Sequence, residues 1–252
     1  MITSSSNAVY KHIKALQDKK YRKKYSEYTV EGIKSVRDAL NSNRRVKSVV
    51  ISEGFTSEYT YSDEIEIITV SAPLFAKLCD TQTPQGIMAV IEIEDKGGFT
   101  PDLSKAYIYC DGVNDPGNLG TIIRTADAAG FGGVLLSKGT ADLYSPKTVR
   151  SSMGSFFNIE TVTGLDAEFL VRCAEKGFML YGGALGRDTI DYRDADMTKP
   201  SILIVGNEAN GISKEVMEIC RCVKIPILGK AESLNVSVAA AILMYELVSQ
   251  RT

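Results

Sequence analysis

Three stretches of this 252-residue chain place polar side chains in glycine-rich turns beside expected helix starts. The first runs Asp111-Gly112-Val113-Asn114-Asp115-Pro116-Gly117-Asn118-Leu119-Gly120-Thr121-Ile122-Ile123-Arg124. It feeds a tight turn into a helix with one arginine on its second turn. Glycine and asparagine allow tight and left-handed backbone. A structural turn accounts for the glycines but not for Asn114 and Arg124 together. The second stretch, Gly206-Asn207-Glu208-Ala209-Asn210-Gly211-Ile212-Ser213, follows an apolar run. Glu208 there is either a partner for a helix dipole or a functional carboxylate. The third is Ile225-Pro226-Ile227-Leu228-Gly229-Lys230-Ala231-Glu232-Ser233-Leu234-Asn235, and Ser233 or Asn235 is suited to cap the helix that follows.

Several chemistries are disfavoured. A Ser-His-Asp triad or a histidine-ligated metal would rest on His12, the single histidine, which sits among lysines. No metal site is expected. The five cysteines, Cys79, Cys110, Cys173, Cys220 and Cys222, are scattered apart from one C-x-C, and read as reduced, mostly buried thiols. There is no G-x-x-x-x-G-K-[ST], and no G-x-G-x-x-G after a strand, so a phosphate-bearing cofactor is disfavoured. A phosphate-free cofactor needs backbone donors and acceptors with apolar walls. The segments around Gly206, Ile225 and Leu234 offer these.

The elements that position these turns alternate. In the first part, helices are expected from Asn7 to Gln17, Gly32 to Asn41 and Pro73 to Cys79. Strands are expected from Tyr28 to Val30, Val46 to Ile51, Ile65 to Val70 and Gly86 to Glu92. That is a small α/β unit. Glu94-Asp95-Lys96-Gly97-Gly98-Phe99-Thr100-Pro101 reads as a joint. In the second part, strands are expected at Tyr107 to Cys110, Val134 to Ser137, Phe178 to Ala184, Ser201 to Val205 and Val223 to Pro226. Helices are expected at Gly120 to Ala129, Ser145 to Met153, Ala167 to Lys176, Ser213 to Ile219 and Leu234 to Val248. This alternation predicts an α/β fold with a parallel sheet covered on both faces. Ligands in such sheets bind at the carboxyl ends of strands, which singles out the loops after Cys110, Ala184, Val205 and Pro226. The last helix is apolar nearly all round, which suggests burial on more than one side. The domains are expected at 1–95 and 105–252, with a linker at 96–104.

Hydrophobic residues make up 44% and charged residues 24%, an ordinary globular balance. No apolar run is long enough for a bilayer, and the first ten residues lack a secretory core, so the cytoplasm is the expected location and no membrane partner is expected. The net charge of −2 hides a split. Residues 1–50 hold 12 Lys/Arg against 4 Asp/Glu, and residues 51–95 hold 1 against 9. The run Lys19-Lys20-Tyr21-Arg22-Lys23-Lys24-Tyr25 interleaves cations with aromatic rings. Cations neutralise phosphates and tyrosines stack on bases, so Lys19, Lys20, Arg22 and Lys23 are candidate RNA contacts. A solvated helix face is the alternative.

The order N-x-x-G-N-L-G-x-x-x-R, then V-G-N-E-x-x-G-I, then I-P-I-x-G-x-x-x-S-L-N-V-S-x-A resembles the three motifs of the SpoU (TrmH-like) branch of the SPOUT methyltransferases. The match spans Asn114 to Ala241. The first part resembles the small RNA-binding domain that precedes the catalytic domain in many of the family's ribosomal RNA methylases. The resemblance implies a parallel-sheet SPOUT domain with a trefoil knot, a homodimer, and methyl transfer from S-adenosyl-L-methionine to a ribose 2′-hydroxyl. Ribosomal RNA, 23S in particular, is the implied substrate, ahead of tRNA. Carried over by motif, Ala184, Leu185, Gly206, Ile225 and Leu234 are the implied cofactor pocket. Arg124, Asn114, Glu208, Ser233 and Asn235 are the implied catalytic group. Arginine does not normally deprotonate in proteins, so Arg124 is expected to bind phosphate and stabilise alkoxide charge. Asn114, Ser233 and Asn235 would orient ribose and Arg124, and Glu208 would fix Arg124 or polar backbone nearby. Two other classes compete: a non-catalytic RNA-binding protein of the same fold, and a phosphate-dependent or nicotinamide enzyme.

Overall fold

A computed structural model describes residues 1–56, 61–94, 98–186 and 188–252. Residues 95–97, part of the expected joint, lie outside that description. In chain order the first elements are α1 (Ala8–Ala15), α2 (Lys19–Tyr25), β1 (Glu27–Glu31), α3 (Ile33–Leu40), β2 (Val46–Ser52), β3 (Glu66–Val70), α4 (Ala72–Leu78) and β4 (Ile87–Glu92). Then come β5 (Tyr107–Asp111), α5 (Pro116–Ala128), β6 (Gly133–Ser137), α6 (Pro146–Ser151), β7 (Glu160–Leu165), α7 (Ala167–Glu175) and β8 (Met179–Gly183). The last are β9 (Ile190–Asp191), β10 (Ser201–Gly206), α8 (Lys214–Met217), β11 (Arg221–Lys224) and α9 (Val236–Arg251). None of these helices is long and apolar enough to cross a membrane.

The chain forms two compact units. The first comprises Met1–Gly97 and, from later in the chain, Tyr144–Phe157. The expected boundaries 1–95 and 105–252 did not include that excursion. The unit's sheet has the order β1-β4-β2-β3, with β4 antiparallel to both β1 and β2, and β2 parallel to β3. Tyr10, Ile13 and Leu16 of the α1 region and Phe75 and Leu78 of α4 pack on Val50, Ile68, Val70, Met88 and Val90. Those strand positions alternate, as the two-residue period of a sheet requires. Helix α1 starts where Asn7 accepts hydrogen bonds from the N–H groups of Val9 (2.9 Å) and Tyr10 (3.2 Å). Helix α3 starts without such a side chain. Gly32 has φ +94°, and a Cβ there would lie 2.9 Å from Gln85 Oε1, the atom that accepts from Ile33 N–H.

The second unit comprises Gly98–Leu143 and Asn158–Thr252. Its seven strands pair in parallel in the order β7-β6-β5-β10-β8-β11-β9. Every residue of β6 and β10 is buried, as a sheet covered on both faces requires. Tyr107, Tyr109, Ile202 and Ile204 share a cluster with Phe169, Leu170 and Val216 from α7 and α8. Helices α5 and α9 pack on each other, and α9 also packs on β10.

The differences from the sequence pattern have local causes. Helix α5 begins at Pro116, earlier than the expected Gly120, because Asp115 accepts from Asn118 N–H (2.9 Å) and proline suits the first turn. Strand β11 ends at Lys224, before Pro226, which has no N–H to pair. Helix α2 and strands β7 and β9 fall where the pattern gives no element. Helix α2 has no apolar stripe, β7 is a half-exposed edge strand, and β9 is two residues long.

Candidate active site at the carboxyl ends of the parallel strands

Strand register brings the key loops together. Gly206 of β10 pairs with Asp111 of β5, so the loops after these strands leave the sheet side by side. Strand β8 lies between β10 and β11, with Ile204 paired to Gly182 and Val223 to Gly183. All four ends lie at one edge of the unit, where parallel α/β sheets bind ligands.

The loop after β10 turns back on itself. The backbones of Asn207 and Gly211 exchange two hydrogen bonds of 2.9 Å. A Cβ on Gly206 would sit 2.2 Å from the Gly211 carbonyl carbon, so only glycine allows this fold-back. Asn207 Nδ2 donates to Gly112 O (2.8 Å), and Ser213 N–H donates to Asp111 Oδ2 (2.7 Å). The two loops are therefore tied together.

Glu208 lies at the centre of the tie. It accepts from the N–H of Asn114 (3.0 Å), the N–H of Asp115 (3.2 Å) and Nδ2 of Asn118 (2.9 Å). Partial burial pushes its carboxyl up. The donors outweigh that and hold it below its ordinary value of 4.5. Asn118 Oδ1 accepts in turn from Asn235 Nδ2 (3.0 Å). Asn235 Oδ1 caps α9, accepting from Ser237 N–H (2.9 Å), Val238 N–H (3.4 Å) and the Ser237 hydroxyl (2.6 Å). One hydrogen-bonded chain thus joins the loop after β10, the first turn of α5 and the start of α9.

Glu208 fixes polar backbone, and Arg124 is not among its partners. Asn114 joins through its backbone N–H. Arg124 is exposed on α5, with no hydrogen bond or ion pair among the described residues, so its guanidinium is open to a ligand. Ser233 is exposed. Of the two capping candidates, Asn235 is the one that caps α9. Asn118 was missed. It lies inside the motif, and its signal was the spacing Asp115-x-x-Asn118, which puts it on the first turn of a proline-initiated helix.

Beside this chain lies a cleft of about 250 Å³. Ala184, Leu185, Ile225 and Leu234 line it, with Val223, Ile227 and Ala239, while Lys224, Glu232 and Ser233 supply its polar groups. Gly206 does not line it and acts instead through the fold-back. An apolar slot with one lysine and one carboxylate fits an uncharged base and a sulfonium better than a polyphosphate. The residues present therefore fit S-adenosylmethionine.

Residues 105–245 match the SpoU rRNA Methylase family, and residues 7–89 match the MRM3-like substrate binding domain. The chain is 37% identical to the 23S rRNA (guanosine(2553)-2'-O)-methyltransferase RlmP of Bacillus subtilis, over 98% of each chain. The chain belongs to the SpoU rRNA methylase family. It is also 30% identical to the 23S rRNA (uridine(2479)-2'-O)-methyltransferase of Streptomyces viridochromogenes, over 98% of this chain and 92% of that one. The AdoMet-bound SpoU methyltransferase AviRb from S. viridochromogenes superposes with a TM-score of 0.89, at 30% identity, covering 97% of this chain and 98% of that one. An AdoMet-bound rRNA methyltransferase from Sinorhizobium meliloti gives 0.87 at 31% identity, covering 98% and 96%.

In this SpoU family member the four candidate RNA contacts divide. Lys19, Lys20 and Lys23 are exposed on α2. Arg22 is only 5% exposed and donates from Nη1 to the carbonyls of Leu16 and Gln17, both at 2.7 Å. It anchors α2 to the end of the α1 segment, where it satisfies carbonyls left open at a helix end. Its expected place on RNA is corrected accordingly.

Proposed function

We propose that the chain transfers the methyl group of S-adenosylmethionine to the 2′-hydroxyl of a ribose in 23S ribosomal RNA. The observation that carries this reading is the hydrogen-bonded chain Glu208–Asn118–Asn235, which joins all three motif loops beside an apolar cleft. The full-length relatives named above support the ribosomal substrate. That substrate puts the enzyme in the cytoplasm.

Ala184, Leu185, Ile225 and Leu234 hold the cofactor, which supplies an electrophilic methyl group when bound. A ribose hydroxyl is a poor nucleophile, so its alignment contributes much of the rate. Arg124 supplies the cation of the site. Its free guanidinium binds the phosphate next to the target ribose and stabilises the negative charge that develops on the attacking oxygen. Asn114, Ser233 and Asn235 orient the ribose. Glu208, with three N–H donors on it, holds the loops in place rather than moving a proton.

The test is incubation of the purified protein with ribosomal RNA and methyl-labelled cofactor, followed by mapping of ribose methylation. The expected result is one 2′-O-methylated nucleotide in 23S RNA. Label on a base, or none on RNA, would refute the reading.

A further inference from the structure

Helix α2 is attached to its unit through Arg22, the only one of its seven residues that is buried. The other six are Lys19, Lys20, Tyr21, Lys23, Lys24 and Tyr25. Neither tyrosine belongs to the unit's core. Tyr21 and Tyr25, one turn apart, lie nearly parallel, with ring centroids 6.1 Å apart and planes 15° apart. The Lys20 and Lys24 ammonium groups sit over these rings, 5.8 Å and 5.1 Å from the centroids. His12 meets Tyr25 edge-on at 4.5 Å. The His12 ring is held in turn: its Nε2 lies 2.6 Å from Glu27 Oε2, and Lys47 Nζ lies 2.5 Å from Glu27 Oε1. Glu27 is itself buried, and the exposed charges on α2 beside the rings are Lys19, Lys20, Lys23 and Lys24, with Asp18 committed to capping the helix through Lys20 N–H. Both rings keep surface that a ligand can reach: Tyr25 is 37% exposed and Tyr21 is half-buried.

The geometry points to a stacking platform for an unpaired nucleotide of the RNA substrate, with its base on Tyr21 and Tyr25 beside His12 and its flanking phosphates on Lys20 and Lys24. Every base has a π-face, and aromatic rings among cations are how proteins hold single-stranded RNA. The inference rests on the reading of RNA as substrate and adds that the first unit grips an unstacked base, not duplex alone.

The test uses the full-length protein and a short single-stranded RNA carrying a central 2-aminopurine, whose fluorescence is quenched on stacking. The wild type is expected to quench it. Y21L/Y25L is expected to abolish the quenching and weaken binding roughly ten-fold with an unchanged salt slope. Y21F/Y25F, which keeps both rings, is expected to behave as the wild type. K20Q/K24Q is expected to keep the quenching and to lower the slope of log K against log salt by about 1.4, two single-strand phosphate contacts at about 0.7 each. Wild-type quenching in Y21L/Y25L, or equal loss in Y21F/Y25F, would overturn the platform. Equal weakening on fully duplex RNA would overturn it too, since no base is free to stack there. If the wild type methylates ribosomal RNA while Y21L/Y25L keeps its KM, only the platform falls. If the wild type neither binds nor methylates RNA, the substrate reading fails first.

Discussion

Asn118 has one side-chain amide, and both of its ends are committed: Nδ2 to Glu208 and Oδ1 to Asn235. Asn118→Asp removes the donor and sets a second carboxylate against Glu208. The expected result is a loss of about 10²-fold in kcat, the cost of a small misplacement of catalytic groups, with little change in melting temperature. Wild-type kcat would show that the link does not align the site. Glu208 gives a pH prediction. Its folded-state pKa is lowered, so its contribution is fully present above its ordinary value of 4.5 and is lost as pH falls through the lower folded value. Glu208 therefore stays ionised from pH 6 to 9, and Glu208→Gln is expected to lower kcat evenly across that range. A neutral-range inflection that disappears in Glu208→Gln would make it a proton-transfer group instead. Residue types and motif spacing marked Arg124, Glu208 and Asn235. They did not mark Asn118, because its importance comes from partners 90 and 117 positions away.

Most elements were readable from their residue pattern, as with the apolar runs of β5 and β10 and with α1, which lies inside the helix expected from Asn7 to Gln17. Helix α2 was not, because a short helix anchored by one buried arginine has no hydrophobic period. Tyr28 is buried against the rings of Tyr144 (4.9 Å) and Phe156 (5.7 Å), and its hydroxyl has no hydrogen-bond partner among the described residues. Burial also pushes that phenol's pKa well up. A buried hydroxyl without a partner costs free energy. Tyr28→Phe is expected to keep the packing and stabilise the protein by about 1 kcal/mol in thermal or denaturant unfolding. A loss of similar size would mean that the hydroxyl is satisfied in solution.

The acid, glycine pair and proline of residues 94–101 read as a joint, but nothing in the sequence pattern signals that Tyr144–Phe157 groups with the first unit. Ser145 and Pro146 signal a helix start without saying which core receives it. The apolar surround of α9 was readable, and the structure divides it. Ala240, Leu243, Met244 and Leu247 are buried, while Val238 and Tyr245 remain 48% and 51% exposed. With Ala241 and Ile242 these two form one helical face, which we assign to the partner subunit of a homodimer. Val238→Glu/Tyr245→Glu is expected to shift the sedimentation mass from two chains to one. A wild-type protein that sediments as a monomer would remove the assignment.

Arg124 is the charged group proposed to face the substrate, beside loops that are joined without it. Its direct test measures labelled methyl transfer to ribosomal RNA alongside calorimetric cofactor binding, for the wild type and Arg124→Ala. The predicted result is transfer lowered by at least about 10²-fold, with cofactor affinity within a few-fold of the wild type. Transfer at the wild-type rate in Arg124→Ala would contradict the account.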